Sequence, residues 1–225
     1  MISIMTLMKT NSELTDDIMT EAAPDMAQPI DPNGPVLGRV FNRVSDRSQK
    51  GITYARSDIE FDAIGQFFCR DISSGMTAAG EGVLDMTMGV PGDVVDAVDL
   101  ILCLQNTVVE PPKDGSCLKR MSILRKRPDV SAEFFQEQWF ELHAILVKRL
   151  PGLKGYRQNL VLDGPRNAQG EMMVDGMVEL WFEDGAAIDA AFGSDIGNTT
   201  MMHAKEFIAE ISTFLVEPHC VRGLS

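Results

Sequence analysis

Three stretches of this sequence recur in the same order roughly half a chain apart, and a duplication limits the folds available more than any composition does. Residues Met121 to Phe134 lie over Met5 to Ile18 at an offset of 116 without a gap. Residues from Val174 (VDGMVELWFED) lie over those from Phe61 (FDAIGQFFCRD) at an offset of 113, and VEPH at Val216 lies over VEPP at Val109 at an offset of 107. A turn-rich link, PPKDGSC, joins the copies. The expected organisation is two repeats, residues 1–112 and 117–225.

The second repeat is the more legible. Residues Arg120 to Arg125 form a short β-type run that Pro128 ends, and Ser131 is placed to cap a helix with Glu133 in its first turn. Phe135, Trp139, Leu142, Leu146 and Leu150 recur at three- and four-residue steps, which predicts an amphipathic helix stopped by Pro151-Gly152. Two strands follow, Gly155 to Leu162 and Val174 to Phe182, then a helix from Thr199 to Ile211 and a closing strand from Thr213 to Val216. That order, βαββαβ, is ferredoxin-like, with both helices on one face of an antiparallel sheet.

The run Met177 to Phe182 is apolar at both parities, so both faces of its strand must be buried. One repeat's helices cover one face only. The expected fold is therefore α+β, with two tandem ferredoxin-like (βαββαβ) repeats whose sheets pack against each other within one chain as a closed or nearly closed barrel.

Charge narrows the partners. The chain carries 20 Lys+Arg against 33 Asp+Glu, a formal net charge of -13. A surface of that sign repels phosphate backbones and anionic headgroups, so neither nucleic acid nor a membrane is an expected partner. Residues 1–116 hold 8 basic and 18 acidic side chains (net -10), and 117–225 hold 12 and 15 (net -3). The four cysteines (Cys69, Cys103, Cys117, Cys220) make no close pair, which suits reduced thiols. The first residues lack a basic leader and a cleavage site, so a cytoplasmic location is the expectation.

Few side chains offer chemistry. His143 stands one turn after Trp139 beside the apolar stripe, where a partly buried imidazole poised near neutrality would shuttle protons, or would simply cap the core edge. Glu179 sits mid-strand among apolar neighbours, on the parity of Met177 and Trp181, and Gln66 is its counterpart in the first repeat. On a cavity face Glu179 is an acid or base; on a solvated face it is an ordinary charge. Tyr156 could hydrogen-bond a ligand oxygen or serve as cover. His203, on the second helix, aligns with Asp96 of the first repeat; His219 lies beyond the last expected strand.

No glycine-rich phosphate loop, dinucleotide fingerprint or nucleophile elbow occurs. Three scattered histidines without a His-x-x-x-His pair give no expected metal site, and no cofactor is called for.

The second repeat resembles the EthD domain family of the dimeric α/β-barrel superfamily, which implies that the tandem repeats form an intramolecular dimeric α/β-barrel. The resemblance rests on Phe135, Trp139 and His143 at four-residue steps, on the turn Leu150-Pro151-Gly152-Leu153 with Tyr156, and on Glu179-Leu180-Trp181-Phe182. It covers nearly all of 117–219. The first repeat looks like a degenerate copy, with Ala23, Ala27 and Val40 where the second has Trp139, His143 and Tyr156. In the second helix Asp96 keeps an acid usual in the family, which His203 replaces.

The resemblance implies a small-molecule enzyme working without a cofactor on a hydrophobic oxygenated or aromatic compound, by isomerase, dehydratase, decarboxylase or oxidoreductase-type chemistry. His143, Tyr156 and Glu179 would be its catalytic groups, and Trp139, Trp181, Met177, His203 and Phe135 would line the pocket. The alternative is a non-catalytic ligand-binding or stress-related accessory protein. A homodimer stays open.

Overall fold

The computed structural model describes residues 1–49, 51–80, 84–113 and 115–223, with the side chains of 220–223 left aside; Cys220 is among these. The first half runs β1 (Ile2–Thr10), α1 (Asp16–Met26), β2 (Val36–Asp46), β3 (Ala63–Cys69), α2 (Ile72–Gly80) and β4 (Val95–Val109). The second runs β5 (Leu118–Lys126), α3 (Ala132–Gln138), a π-helical turn (Trp139–His143), α4 (Ala144–Lys148), β6 (Gly155–Asp163) and β7 (Gly176–Phe182). It ends with α5 (Gly185–Gly193), α6 (Asp195–Ala204) and β8 (Ile208–Gly223).

All eight strands belong to one sheet, in the order β1-β3-β2-β8-β5-β7-β6-β4, which closes into a barrel through β4 against β1. The expectation of a dimeric arrangement, with two sheets packed face to face, is corrected by this pairing. Edge strands of the two halves hydrogen-bond directly, β2 to β8 and β4 to β6, so the halves form a single continuous sheet rather than two separate ones. Unpaired edge N–H and C=O groups find partners this way, which face-packing would leave unsatisfied.

Alternation along the strands sorts residues between the ring interior and the helix layer outside. Met5, Leu7, Ile101, Met121, Met177 and Phe214 belong to one interior cluster. Ile2, Ile4 and Met8 instead pack with Met19, Ala22 and Met26 of α1. In the second half Phe135, Trp139 and Phe207 pack outside the sheet, with Leu124 and Ile211. Helix starts follow local chemistry: Thr15, Ser131, Asp184 and Ser194 each cap with a side-chain oxygen that accepts a backbone N–H.

Three expectations about elements are corrected. The stripe Leu142–Leu146 does not face the sheet: Leu142 is exposed, and His143, Ala144 and Val147 are buried in its place. The π turn inserts one extra residue into the helix, which rotates every later side chain by about 100° relative to an uninterrupted α-helix. The helix expected over Thr199 to Ile211 ends at Ala204, because Ser194 starts it earlier and Ile208 already belongs to β8. Asp96 lies on strand β4, paired near Thr10, so it has no positional equivalence with His203 on α6.

Candidate functional site

The candidate residues divide between the two faces of the second half's sheet. Tyr156 pairs in register with Leu180, and Arg157 with Glu179, so Tyr156 and Glu179 point to opposite sides. His143, Trp139, Tyr156, His203 and Phe135 lie in the layer between sheet and helices; Glu179, Trp181 and Met177 lie inside the ring. The expected trio of His143, Tyr156 and Glu179 does not converge.

In the helix layer, Trp139, His143 and Tyr156 line a cavity of about 50 Å³ together with apolar residues such as Leu150, Val178 and Ile208. Gly176 makes this possible, since a Cβ there would stand 2.5 Å from the Trp139 ring. Phe135 lies behind, its ring centroid 5.3 Å from that of Trp139. His143 Nδ1 is 3.3 Å from His203 Nδ1, and the two rings stack at 22° between planes. His203 Nε2 is 3.2 Å from Gln138 Oε1.

These contacts are satisfied together by one pair of neutral tautomers. The Gln138 carbonyl only accepts, so His203 carries its proton on Nε2 and its Nδ1 accepts from His143 Nδ1–H. His143 Nε2 then holds a lone pair, and the one hydrogen bond of the ring to a described residue is made at Nδ1. Burial, and secondly the adjacent His203, lower the His143 pKa to about 3. The expectation of an imidazole poised near neutrality is corrected: His143 is neutral well below pH 7. Tyr156 is fully buried, and burial pushes its phenol above the usual range, so the hydroxyl stays protonated. Its oxygen accepts from Gln158 Nε2 at 2.8 Å, which leaves its O–H to donate.

Inside the ring a polar network stands where sequence showed only one isolated charge. Lys119 Nζ donates to Asn42 Oδ1 at 3.0 Å and to Gln66 Oε1 at 2.7 Å, and it lies 2.7 Å from Glu179 Oε2. Asn159 Nδ2 donates to Glu179 Oε1 at 3.0 Å and its own carbonyl accepts from Gln105 Nε2 at 3.1 Å. Burial alone would raise Glu179, but Lys119 and Arg157 outweigh it and hold the carboxyl below its usual range. Burial lowers Lys119, offset only in part by Glu179.

Lys119, Gln66, Arg157 and Trp181 line the base of a cavity of about 370 Å³ at the end of the ring where the link between halves crosses. Met177 lies deeper, in the apolar interior cluster. Sequence reasoning missed Lys119 and Arg157 because basic residues at strand starts look like solvated ends. The available signal was their parity, which is that of Glu179 and Trp181. Among the described residues, no group of three His, Cys, Asp or Glu side chains could hold a metal ion. No helix among them is long and apolar enough to cross a membrane.

The family model described as the EthD domain matches residues 127–210. That corrects the broader resemblance: the match covers less than half of the chain and leaves the whole first half unmatched, so a degenerate first EthD copy is not supported. No curated protein matches the chain in sequence.

Solved structures do match over its full length. An anthrone oxidase-like protein has a TM-score of 0.62 at 11% identity, covering 99% of this chain and 92% of its own. A candidate monooxygenase of Fusobacterium nucleatum has a TM-score of 0.65 at 7% identity, covering 99% and 94%. Another, of Lactobacillus acidophilus, has 0.58 at 10%, covering 99% and 95%. At these identities the likeness is one of fold, shared over nearly the whole chain with proteins named as an anthrone oxidase-like protein and monooxygenases.

Proposed function

We propose that the protein is a small-molecule enzyme in which His143 acts as a general base in the helix-layer pocket. One observation carries this reading: His143 is neutral, oriented through Nδ1 by His203, and presents the lone pair of its Nε2. The Tyr156 hydroxyl would donate to a carbonyl or hydroxyl oxygen of the substrate. As negative charge develops on that oxygen, it stabilises the imidazolium forming at His143, so a base with a low resting pKa can still take a proton. The π turn carries both Trp139 and His143, and such turns recur at functional sites. The substrate is an apolar compound with an acidified C–H or O–H bond.

The anthrone oxidase-like neighbour supplies a probe, because anthrone has a methylene acidified by a carbonyl. Loss of that methylene proton in deuterium oxide under nitrogen, followed by NMR, tests the base alone. The wild-type protein is expected to accelerate exchange, and His143→Gln to lower the acceleration by about 10²-fold, the scale of a general base. Equal exchange in the two proteins removes His143 from the mechanism. Binding of anthrone without accelerated exchange would favour a ligand-carrying protein instead.

A further inference from the structure

The ring interior holds a second feature, independent of the His143 pocket and on the other face of the sheet. Arg157 lines the cavity of about 370 Å³, a volume typical of small-molecule sites. Its guanidinium makes no hydrogen bond or ion pair to any described residue, and its Nε is buried without a partner. The side chain is half-buried with only its Nε enclosed, and an arginine fork is shaped for two parallel bonds to a carboxylate. The group lies between two aromatic walls, 5.7 Å from the Phe68 ring centroid and 5.6 Å from that of Trp181. Gln66, which is fully buried, has its Nε2 unpartnered while its Oε1 is held by Lys119 and Asn42.

Charge accounting selects the ligand. Lys119 and Glu179 neutralise one another at 2.7 Å, and Lys119 Nζ already directs its three donors at Asn42, Gln66 and Glu179. On the rim Lys113 faces the same cavity as Glu110, again balanced. Among these side chains one positive charge remains, on Arg157, and the Met1 ammonium also lines the cavity, 3.5 Å from the Gln105 carbonyl. Arg157 offers one fork to one carboxylate, and a second negative charge placed beside Glu179 is disfavoured in a poorly screened site.

We propose that this end of the ring binds a small organic monocarboxylate with an apolar body, its carboxylate paired with Arg157 and Gln66 and its body against Trp181 and Phe68.

Benzoate is the probe, with benzamide as its neutral counterpart and inorganic phosphate as the competing anion. Isothermal titration on the whole chain is expected to show benzoate binding, at least tenfold weaker binding of benzamide, and weaker binding of phosphate than of benzoate. Arg157→Gln should weaken benzoate at least tenfold. Arg157→Lys, which keeps the charge but loses the fork, should weaken it severalfold and serves if the glutamine variant does not fold. His143→Gln should leave benzoate affinity unchanged, so this site and the base in the helix layer fail or stand separately. Absence of benzoate binding at millimolar concentration, equal binding of benzamide, tighter binding of phosphate, or wild-type affinity in a folded Arg157 variant overturns the proposal.

Discussion

Lys119 Nζ lies 2.7 Å from Glu179 Oε2 inside the ring, with the lysine side chain 4% and the glutamate side chain 0% exposed. An ion pair so deeply buried is held at a cost in desolvation and is sensitive to loss of either partner.

Glu179→Gln should therefore destabilise the fold by about 3–5 kcal/mol, the usual penalty for stranding one buried charge. Lys119→Met combined with Glu179→Leu should recover most of that loss, and urea unfolding of the two variants checks it. The pH dependence has a definite sign. Glu179 titrates below its ordinary 4.5 when folded, so its contribution is complete above 4.5 and is lost as pH falls through the folded value.

His143 adds acid sensitivity at higher pH. Its pKa falls from 6.5 unfolded to about 3 folded, so the unfolded chain binds the proton first. Stability from this group is complete above 6.5 and declines with falling pH by up to about 1.4 kcal/mol per unit. His143→Gln should flatten unfolding midpoints between the histidine and carboxylate ranges, measured by urea titration at a series of pH values.

Gly176→Ala places a methyl group 2.5–2.6 Å from Trp139 ring atoms. Overpacking of this kind is expected to cost about 1–3 kcal/mol. Trp139→Phe made in the same chain should lower that cost, giving thermal melts whose changes are not additive.

Cys69 and Cys103 are buried, and burial lifts both thiols, Cys69 to about 11. Neither should react with iodoacetamide in the native protein at neutral pH, whereas half-buried Cys117 should. Peptide mass mapping before and after addition of urea distinguishes them.

Much of the architecture was written in local pattern. The repeat alignment placed Met5 with Met121 and Gln66 with Glu179, and each pair occupies equivalent interior strand positions. The cap at Ser131 and the two-sided burial of β7 follow from residue type and spacing alone. The parity that puts Glu179 with Met177 and Trp181 was legible too. What lay across from it was not: Lys119 reaches Glu179 from a neighbouring strand, and Asn42 and Gln66 reach Lys119 from the other half of the chain.

The helix face shows the same limit at shorter range. A stripe of leucines at α-helical spacing points to Leu142, but the π turn moves burial to His143. The π turn begins at Trp139, whose ring packs on Gly176, a residue 37 positions away, and no local spacing marks that contact. Sequence by itself determined which residues alternate, where helices begin, and that both faces of the central strands are buried, since these depend on neighbours within a turn or a pleat. Tertiary structure alone decided that the halves share one hydrogen-bonded ring, that His143 meets His203, and that Arg157 stands without an acceptor. Each of those depends on long-range strand pairing and desolvation, and neither has a period in the chain.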